Sequence, residues 1–383
     1  MSIKNNTIKV FIDGYLLNKE PQGTTTYIKE IYKRAAFQNP NIFFYIGCFK
    51  DVKIEKEFKP FHNIRFVHFK NQSRGYRMIF EIPAIINKYK FDFAHFQYVI
   101  PLIKNKNCKY IVTIHDVLFN DYTKYFSKLY RYKRNFLFCR SAKKANYLLT
   151  VSEYSKKAIQ ENYKLKNKNI YITPNGVSNS FFEEYDKEKT KKRIVKKYGF
   201  DDFILYVSRI EPRKNQELLL EVYLDNGIFN TTTHLVFIGT NSIENIKLNN
   251  LINNLNPDQK NKIHFIENLS KKTLTDFYKA AKMFVYPSKA EGFGIPPIEA
   301  GAFKIPVLCS NVTAMESFTF FKPYFFNPHN KEEFKRKFNI FYENYNSIDL
   351  TYVQNEIKLK YSWDLPAQVL TSIFIQNTYN LEN

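Results

Sequence analysis

The chain repeats one pattern from end to end: a short, fully apolar run followed by a stretch of helical periodicity. Tyr110-Ile-Val-Thr-Ile114 shows the character of these runs, which do not alternate apolar with polar residues. Such a run suits a strand covered on both faces, the condition of a parallel sheet sandwiched between helices. In the first half the runs fall at 8–12, 42–47, 64–69, 93–96, 110–115, 147–152 and 170–173, with helical stretches at 27–37, 78–88, 125–145 and 153–163. In the second half they fall at 203–208, 234–239, 262–266, 283–287, 306–310 and 324–326, with helices at 215–224, 273–281 and 331–345 and a terminal helix from 366 to 375. Strand alternating with helix predicts the α/β class with doubly wound sheets.

At 383 residues and about 100–200 residues per domain, two domains are expected. The segment 178–198 is polar and dense in charge, and reads as a partly helical connection between them. The division predicted is an N-terminal Rossmann-like domain at 1–180 and a C-terminal one at 181–365, facing each other across a cleft. In such sheets ligands sit beyond the carboxyl ends of the strands.

Composition narrows the partners. Lys and Arg number 58 against 36 Asp and Glu, a formal charge of +22. An anionic partner accounts for this excess, whether a nucleic acid, a phosphorylated ligand or an acidic membrane surface. Coding bias accounts for it equally, since Lys, Asn, Ile, Tyr and Phe abound while Ala and Gly are scarce. Cys48, Cys108, Cys139 and Cys309 lie far apart, with neither a disulfide framework nor a zinc cassette, so a reduced cytoplasmic setting is expected. The start is polar and Asp13 interrupts the first apolar run, so no signal peptide is expected. Nor is there an uninterrupted apolar stretch of about 18 residues to span a bilayer.

Missing motifs exclude several chemistries. The sequence has no GxxxxGK[ST], HExxH or GxSxG, and Gly292-Phe-Gly294 is followed by Ile-Pro-Pro, which breaks the dinucleotide fingerprint. No two Asp residues flank a single residue, the pair that many metal-dependent sugar transferases use, so a metal-centred mechanism has no support in the sequence.

Two segments carry chemistry. Pro287-Ser-Lys-Ala-Glu291-Gly-Phe-Gly-Ile-Pro-Pro-Ile-Glu299-Ala ends a strand, opens a glycine loop and starts a helix near Pro296 or Pro297. Proline fits a first helical turn, and the free N–H groups there would hold an anion such as a diphosphate. Glu291 and Glu299 bracket the loop as acceptors for ligand hydroxyls; the plainer reading is a capping carboxylate and a solvated helix residue. The second segment, Leu205-Tyr-Val-Ser-Arg209-Ile-Glu-Pro-Arg213-Lys214-Asn215, delivers two cations at a strand end. Arg209 and Lys214 suit a leaving phosphate, or are two surface cations of a basic chain.

Together these segments resemble the retaining glycosyltransferases of family 4, the glycosyl transferases group 1, which have the GT-B fold. Glu291 and Glu299 match its EGFGxPxxEA signature, and Glu211-Pro-Arg-Lys-Asn215 its EPRKN segment. Thr113-Ile-His115-Asp116, Val151-Ser-Glu-Tyr-Ser155, Pro174-Asn-Gly-Val177 and Tyr361-Ser-Trp363 match further segments in the same order. The resemblance runs from about Ile8 to the C-terminus, and is similar in style to bacterial mannosyltransferases.

The resemblance implies a role for each matched residue. Arg209 and Lys214 would neutralise the diphosphate of a nucleotide-sugar, Glu299 would accept from the ribose hydroxyls, and Glu291 would hold hydroxyls of the donor sugar. The stretch Gly292, Phe293, Gly294 and Ile295 would contact sugar and phosphate through its backbone. His115 would stand near the reacting sugar; the alternative is a strand-end histidine satisfied by Asp116. Gly23, before Thr24-Thr-Thr-Tyr27, corresponds to the glycine-rich first turn, without its usual paired glycine. The resemblance also implies that helix 366–383 returns to complete the first domain. Two positions depart from the pattern: Ser208 and Lys304 stand where glycines are usual, and a lysine at 304 implies an unusual turn.

The expected reaction is metal-independent transfer of a hexose, with GDP-mannose the leading donor, to a hydroxyl of a glycan or lipid-linked acceptor, with no other cofactor. Enzymes of this family often serve bacterial surface polysaccharide and lipopolysaccharide synthesis at the inner face of the membrane, and the resemblance implies that role and place here. Tyr130-Arg-Tyr-Lys-Arg134 and the basic run 140–144 would suit an anionic lipid surface or an ordinary solvated helix face. Rival readings are a non-catalytic partner subunit of the same fold, a phosphorylase or epimerase, and a basic nucleic-acid-binding protein. The last has spread charge but no recognisable motif, so no specific nucleic acid is expected.

Overall fold

A computed structural model describes residues 7–19, 22–123 and 126–379. The chain forms two compact units, one of Met1–Gly176 with Tyr361–Asn383, the other Val177–Lys360.

The first unit carries seven strands: β1 (Ile8–Asp13), β2 (Ile42–Cys48), β3 (Ile64–His68), β4 (Phe93–Gln97), β5 (Lys109–Thr113), β6 (Tyr147–Thr150) and β7 (Ile170–Ile172). All pair in parallel, in the order β3-β2-β1-β4-β5-β6-β7. The second unit carries β8 (Phe203–Val207), β9 (His234–Ile238), β10 (Ile263–Ile266), β11 (Met283–Tyr286), β12 (Val307–Ser310) and β13 (Phe325–Phe326). These are again all parallel, in the order β10-β9-β8-β11-β12-β13. The doubly wound α/β class expected from the apolar runs is therefore the class observed. Every run forms a strand. Those at 110–115 and 147–152 stop early because His115 and Ser152 belong to loops at the carboxyl edge.

Helices diverge more. The stretch 78–88 is broken by a π turn at Arg77–Glu81 before the helix Ile82–Tyr89. The helix expected at 125–145 spans Lys128–Lys144, capped by Ser127, whose hydroxyl accepts the Tyr130 N–H; Tyr125 lies outside the described residues. Helices Val52–Phe58, Ile246–Asn253, Pro257–Lys262 and Leu350–Lys360 had no sequence expectation.

The charged segment 178–198 is not a free connection. Its helix Lys187–Tyr198 starts on the Asp186 side chain and ends at Gly199, whose φ is +85°. Thr190 and Ile194 are buried, Tyr198 packs on Phe277 with ring centroids 4.9 Å apart, and Arg193 pairs with Asp276 at 2.5 Å. So narrow an apolar stripe is easily lost among its lysines, yet it packs this helix onto Lys271–Ala280 as a layer of the second unit.

The closing helix, Asp364–Tyr379, belongs to the first unit; residues 380–383 lie outside the described residues. Asp364 pairs with Arg34 and accepts from Gln38 at 2.9 Å, both on the helix Gly23–Gln38. Phe374 packs against Phe93 of β4 at 5.0 Å. Ahead of it Ser362 and Trp363 run so close to Gly176 that a Cβ there would lie 2.8 Å from the Trp363 nitrogen, so only glycine fits.

Candidate active site

In the second unit the strand order reverses between β8 and β11, and ligands of such sheets bind beyond the carboxyl ends of the strands at that point. The two loops leaving there are 208–215 and 287–294, which hold Arg209, Lys214 and Glu291.

Lys214 and Glu291 meet. The ammonium lies 2.6 Å from Glu291 Oε1 and donates also to the Tyr286 hydroxyl at 3.0 Å. Glu291 Oε1 accepts two more bonds, from Tyr286 at 2.9 Å and Ser288 at 2.7 Å. Arg213 stands 3.3 Å from Oε2 and also pairs with Glu211. Oε1 thus takes three bonds, while Oε2 faces Arg213. Both Lys214 and Glu291 are buried. Burial works to raise the Glu291 carboxyl, but Lys214, Arg213 and the Ser288 bond outweigh it and hold it at about 2. Burial pulls the Lys214 ammonium down while Glu291 pulls it up. With an ionised carboxylate at 2.6 Å, the pair is charged at neutral pH.

Arg209 differs from Lys214. It is exposed, and its guanidinium meets no carboxylate among the described residues. It is the cation of this loop available to an incoming anion. The neighbouring Ser208 does not project: its hydroxyl donates to the Arg209 carbonyl at 2.9 Å and accepts from Gln216 at 3.2 Å. Asn215 has φ +60°, and its buried amide donates to the carbonyls of Pro287 and Pro328 at 3.1 and 3.2 Å. Asparagine tolerates that backbone, and its side chain ties the two loops together.

The helix after the glycine loop is Ile295–Ala302, one residue earlier than the prolines suggest. Pro296 and Pro297 therefore fall in its second and third positions and remove two of the first-turn donors. The N–H groups left there are those of Ile295 and of Gly294, at φ +96°, so an anion would be held by these and by the helix dipole. Glu299 on this helix is half-buried and does not join the Glu291 cluster. Its Oε2 accepts from Tyr278 at 2.9 Å, and burial pushes its carboxyl up to about 7, against the Tyr278 bond and Lys271.

In the first unit, His115 is buried past the end of β5. Its Nε2 bonds Gln97 Oε1 at 2.8 Å, so Gln97 at the end of β4, rather than Asp116, satisfies it. Burial lowers its pKa to about 3, leaving a neutral ring. Tyr27 packs edge-on to it at 4.9 Å, and Tyr27 also meets Trp363 at 6.2 Å. Gly23 is the exposed first residue of the helix Gly23–Gln38. Gly14, at the end of β1, makes a close approach of its own: a Cβ there would lie 2.6 Å from Ile46.

The structure thus joins Lys214 to Glu291, sets Arg209 in the same loop as Lys214 after β8, and gives Glu299 a separate partner. Sequence reasoning missed Tyr286, Ser288, Arg213, Tyr278 and Thr313, whose hydroxyl accepts the Glu291 N–H at 2.8 Å. Tyr286 and Ser288 flank a strand end in an already suspect loop and were findable there. Tyr278 and Thr313 come from distant segments with no local signal. Among the described residues no group of three His, Cys, Asp or Glu side chains is placed to hold a metal ion.

Two family models match the chain, Glycosyltransferase Family 4 over residues 21–181 and Glycosyl transferases group 1 over residues 187–355. Among relatives, the O-antigen chain mannosyltransferase RfbU of Salmonella typhimurium is 28% identical over 215 residues, 56% of this chain and 54% of its own. The chain thus spans about half the length of this relative. Among solved structures, sucrose-phosphate synthase from Thermosynechococcus elongatus superposes with a TM-score of 0.76 at 14% identity, covering 97% of this chain and 100% of its own. Anabaena HepE in complex with UDP-glucose gives 0.71 at 14% identity, covering 96% and 99%. These two share the GT-B fold observed here.

Proposed function

The chain belongs to glycosyltransferase family 4, the glycosyl transferases group 1, and from this premise we propose that it moves a hexose from a nucleotide-sugar to an acceptor hydroxyl with retention at the anomeric carbon. The observation that carries this reading is Arg209, an exposed cation that meets no carboxylate among the described residues, at the same switch point as the charged Lys214–Glu291 pair. Expelling a nucleoside diphosphate requires positive potential that is oriented before the reaction begins. Arg209, the remaining N–H of Lys214, the Gly294 and Ile295 amides and the helix dipole supply it. Glu299 takes the ribose hydroxyls and Glu291 the hydroxyls of the donor sugar. For His115, neutral and held by Gln97, the family resemblance gives the role of a group near the reacting sugar.

Mannose from GDP-mannose is the leading donor, because the relative RfbU is an O-antigen chain mannosyltransferase; HepE, with its UDP-glucose, keeps uridine donors in the test. The acceptor is a glycan or a lipid-linked sugar of a surface polysaccharide. Its lipid is favoured by the helix Lys128–Lys144, which has Lys and Arg throughout and no acid. On one of its faces Leu129, Tyr132 and Phe136 are 77%, 76% and 61% exposed. Such a face suits an anionic membrane surface, at the cytoplasmic side where nucleotide-sugars are made. Among the described residues no helix is long and apolar enough to cross a membrane.

Calorimetric titration with UDP, GDP, dTDP and CMP tests the reading. GDP binding at micromolar strength, lost in Arg209→Ala/Lys214→Ala, is expected. Binding of none of the four would remove the enzyme reading and favour a non-catalytic subunit, for which Glu291→Ala would leave function in cells intact.

A further inference from the structure

Past β12 the backbone of Thr313 has a φ of +58°. A β-branched side chain in the left-handed region is crowded against its own backbone, and such strain persists where the surroundings impose it. Here the hydroxyl has a specific use. Thr313 Oγ1 accepts the Glu291 N–H at 2.8 Å while donating to the Val312 carbonyl at 2.7 Å. The N–H of Ala314 is directed at the Glu291 carbonyl, 3.4 Å away. Both backbone groups of Glu291 are therefore tied to one turn, Thr313–Ser317. The same segment underlies the rest of the loop: Met315 Cγ lies 3.0 Å from where a Cβ on Gly294 would be, and the Phe318 ring packs edge-on against Phe293 at 5.8 Å.

We propose that Thr313 is a positioning residue, whose hydroxyl, presented by a strained backbone, fixes the Glu291 backbone and so the place where its carboxylate meets the sugar half of the donor. The inference rests on the donor reading above. Glycine at 313 would relieve the strain but leave the Glu291 N–H without its acceptor. Serine would keep the acceptor with less crowding, and valine would keep the branch without the acceptor.

These differences define the test, made on Thr313→Gly, Thr313→Ser and Thr313→Val in the full chain. Three quantities are measured: the melting temperature, mass-spectrometric amide exchange of the peptide 288–294, and the nucleoside diphosphate Kd beside kcat/KM for the sugar nucleotide. Thr313→Gly is expected to melt within a few degrees of wild type, because the relieved strain offsets part of the lost hydrogen bond. One lost hydrogen bond to a buried amide should speed exchange in the peptide and lower kcat/KM by about tenfold each. The Kd for the free diphosphate should stay unchanged, because the hydroxyl acts only through Glu291. Thr313→Ser should match wild type in all three, and Thr313→Val should follow glycine in exchange and kcat/KM. Wild-type exchange and kcat/KM in Thr313→Gly would overturn the proposal. So would an equal loss of diphosphate and sugar-nucleotide affinity together with a melting temperature lowered beyond that range, the mark of a merely structural residue. If wild type binds no nucleoside diphosphate, the donor reading fails by itself, and the exchange data alone decide whether Thr313 holds Glu291.

Discussion

Lys214 and Glu291 are 77 residues apart in sequence, yet the ammonium and the carboxylate lie 2.6 Å from each other in the interior of the second unit. Two loops leaving neighbouring parallel strands are thereby locked by one buried ion pair. Because Tyr286, Ser288 and Arg213 bind the same carboxylate, its charge is in place before any ligand arrives.

Breaking that pair is expected to cost stability. Removing one partner of a buried pair leaves an uncompensated charge, worth about 3–5 kcal/mol, and Lys214→Met should fall near the lower end because Arg213 still faces Glu291. Arg209→Ala removes an exposed cation that meets no carboxylate among the described residues, and should stay within about 0.5 kcal/mol of wild type. Urea midpoints of the two variants check this. Both variants should lose nucleotide binding, so the stability contrast separates the fold's need for a cation from the ligand's need.

The two glutamates of the signature should respond to pH with opposite sign. The folded-state pKa of Glu291, about 2, lies below its unfolded value near 4.5. Its contribution is therefore complete above pH 4.5 and lost as pH falls toward 2. Glu299 has a folded-state pKa of about 7, above its unfolded value, so the native state binds the extra proton between those values. Stability then declines as pH rises from about 4.5 to 7. Glu299→Gln should remove that decline, gaining about 1–2 kcal/mol at pH 8, a figure discounted from the full shift because the side chain is only half-buried. Urea midpoints between pH 5 and 8.5 that run parallel in the two proteins would refute this.

Much of this was legible in the residues, and the limits have physical causes. Parallel strands buried on both faces leave uninterrupted apolar runs, so all thirteen are visible. Short helices such as Val52–Phe58 bury only two residues and leave almost no periodicity. Within the site, Arg209, Lys214 and Glu291 are legible because each lies a few residues past a strand end. That Lys214 faces Glu291 while Glu299 turns to Tyr278 is decided by the packing of four elements, which one segment cannot encode. The helix start shows the same limit: two prolines mark a first turn to within a residue, and that residue determines which amide donors remain.

Nucleotide binding should report Glu299 directly. If the ribose hydroxyls are accepted by its carboxylate, only the ionised form binds well. With a pKa of about 7 in the free protein, roughly one molecule in ten is ionised at pH 6 and nine in ten at pH 8. Affinity for the preferred diphosphate should rise by up to about tenfold between those values. The second ionisation of the phosphate adds its own slope, so the control is Glu299→Gln, whose residual dependence is subtracted. Titrations of both proteins at pH 6, 7 and 8 suffice, and identical slopes would assign the ribose contact elsewhere.

Lys304 and Gly294 provide a matched pair of backbone tests. Lys304 stands at φ +54°, the left-handed conformation that the usual glycine of this turn adopts without strain. Its ammonium meets Glu184 at 3.4 Å, but Glu184 is 90% exposed and such a pair contributes little. Lys304→Gly relieves about 1 kcal/mol of left-handed strain and loses part of that to the greater freedom of glycine in the unfolded chain. The expected result is a protein of equal stability, or more stable by up to about 0.5 kcal/mol. Gly294→Ala should behave oppositely. Its φ is +96°, and the new Cβ would lie 3.0 Å from Met315 Cγ and 3.3 Å from the Phe318 ring. Backbone strain and crowding then act together, and a loss of about 2 kcal/mol is expected. Because Gly294 also supplies one of the amides at the helix start, that variant should weaken diphosphate binding, whereas Lys304→Gly should leave it unchanged. Thermal melts with and without diphosphate separate the two effects, since a turn that needed a side chain at 304 would show itself as a lowered melting temperature in Lys304→Gly.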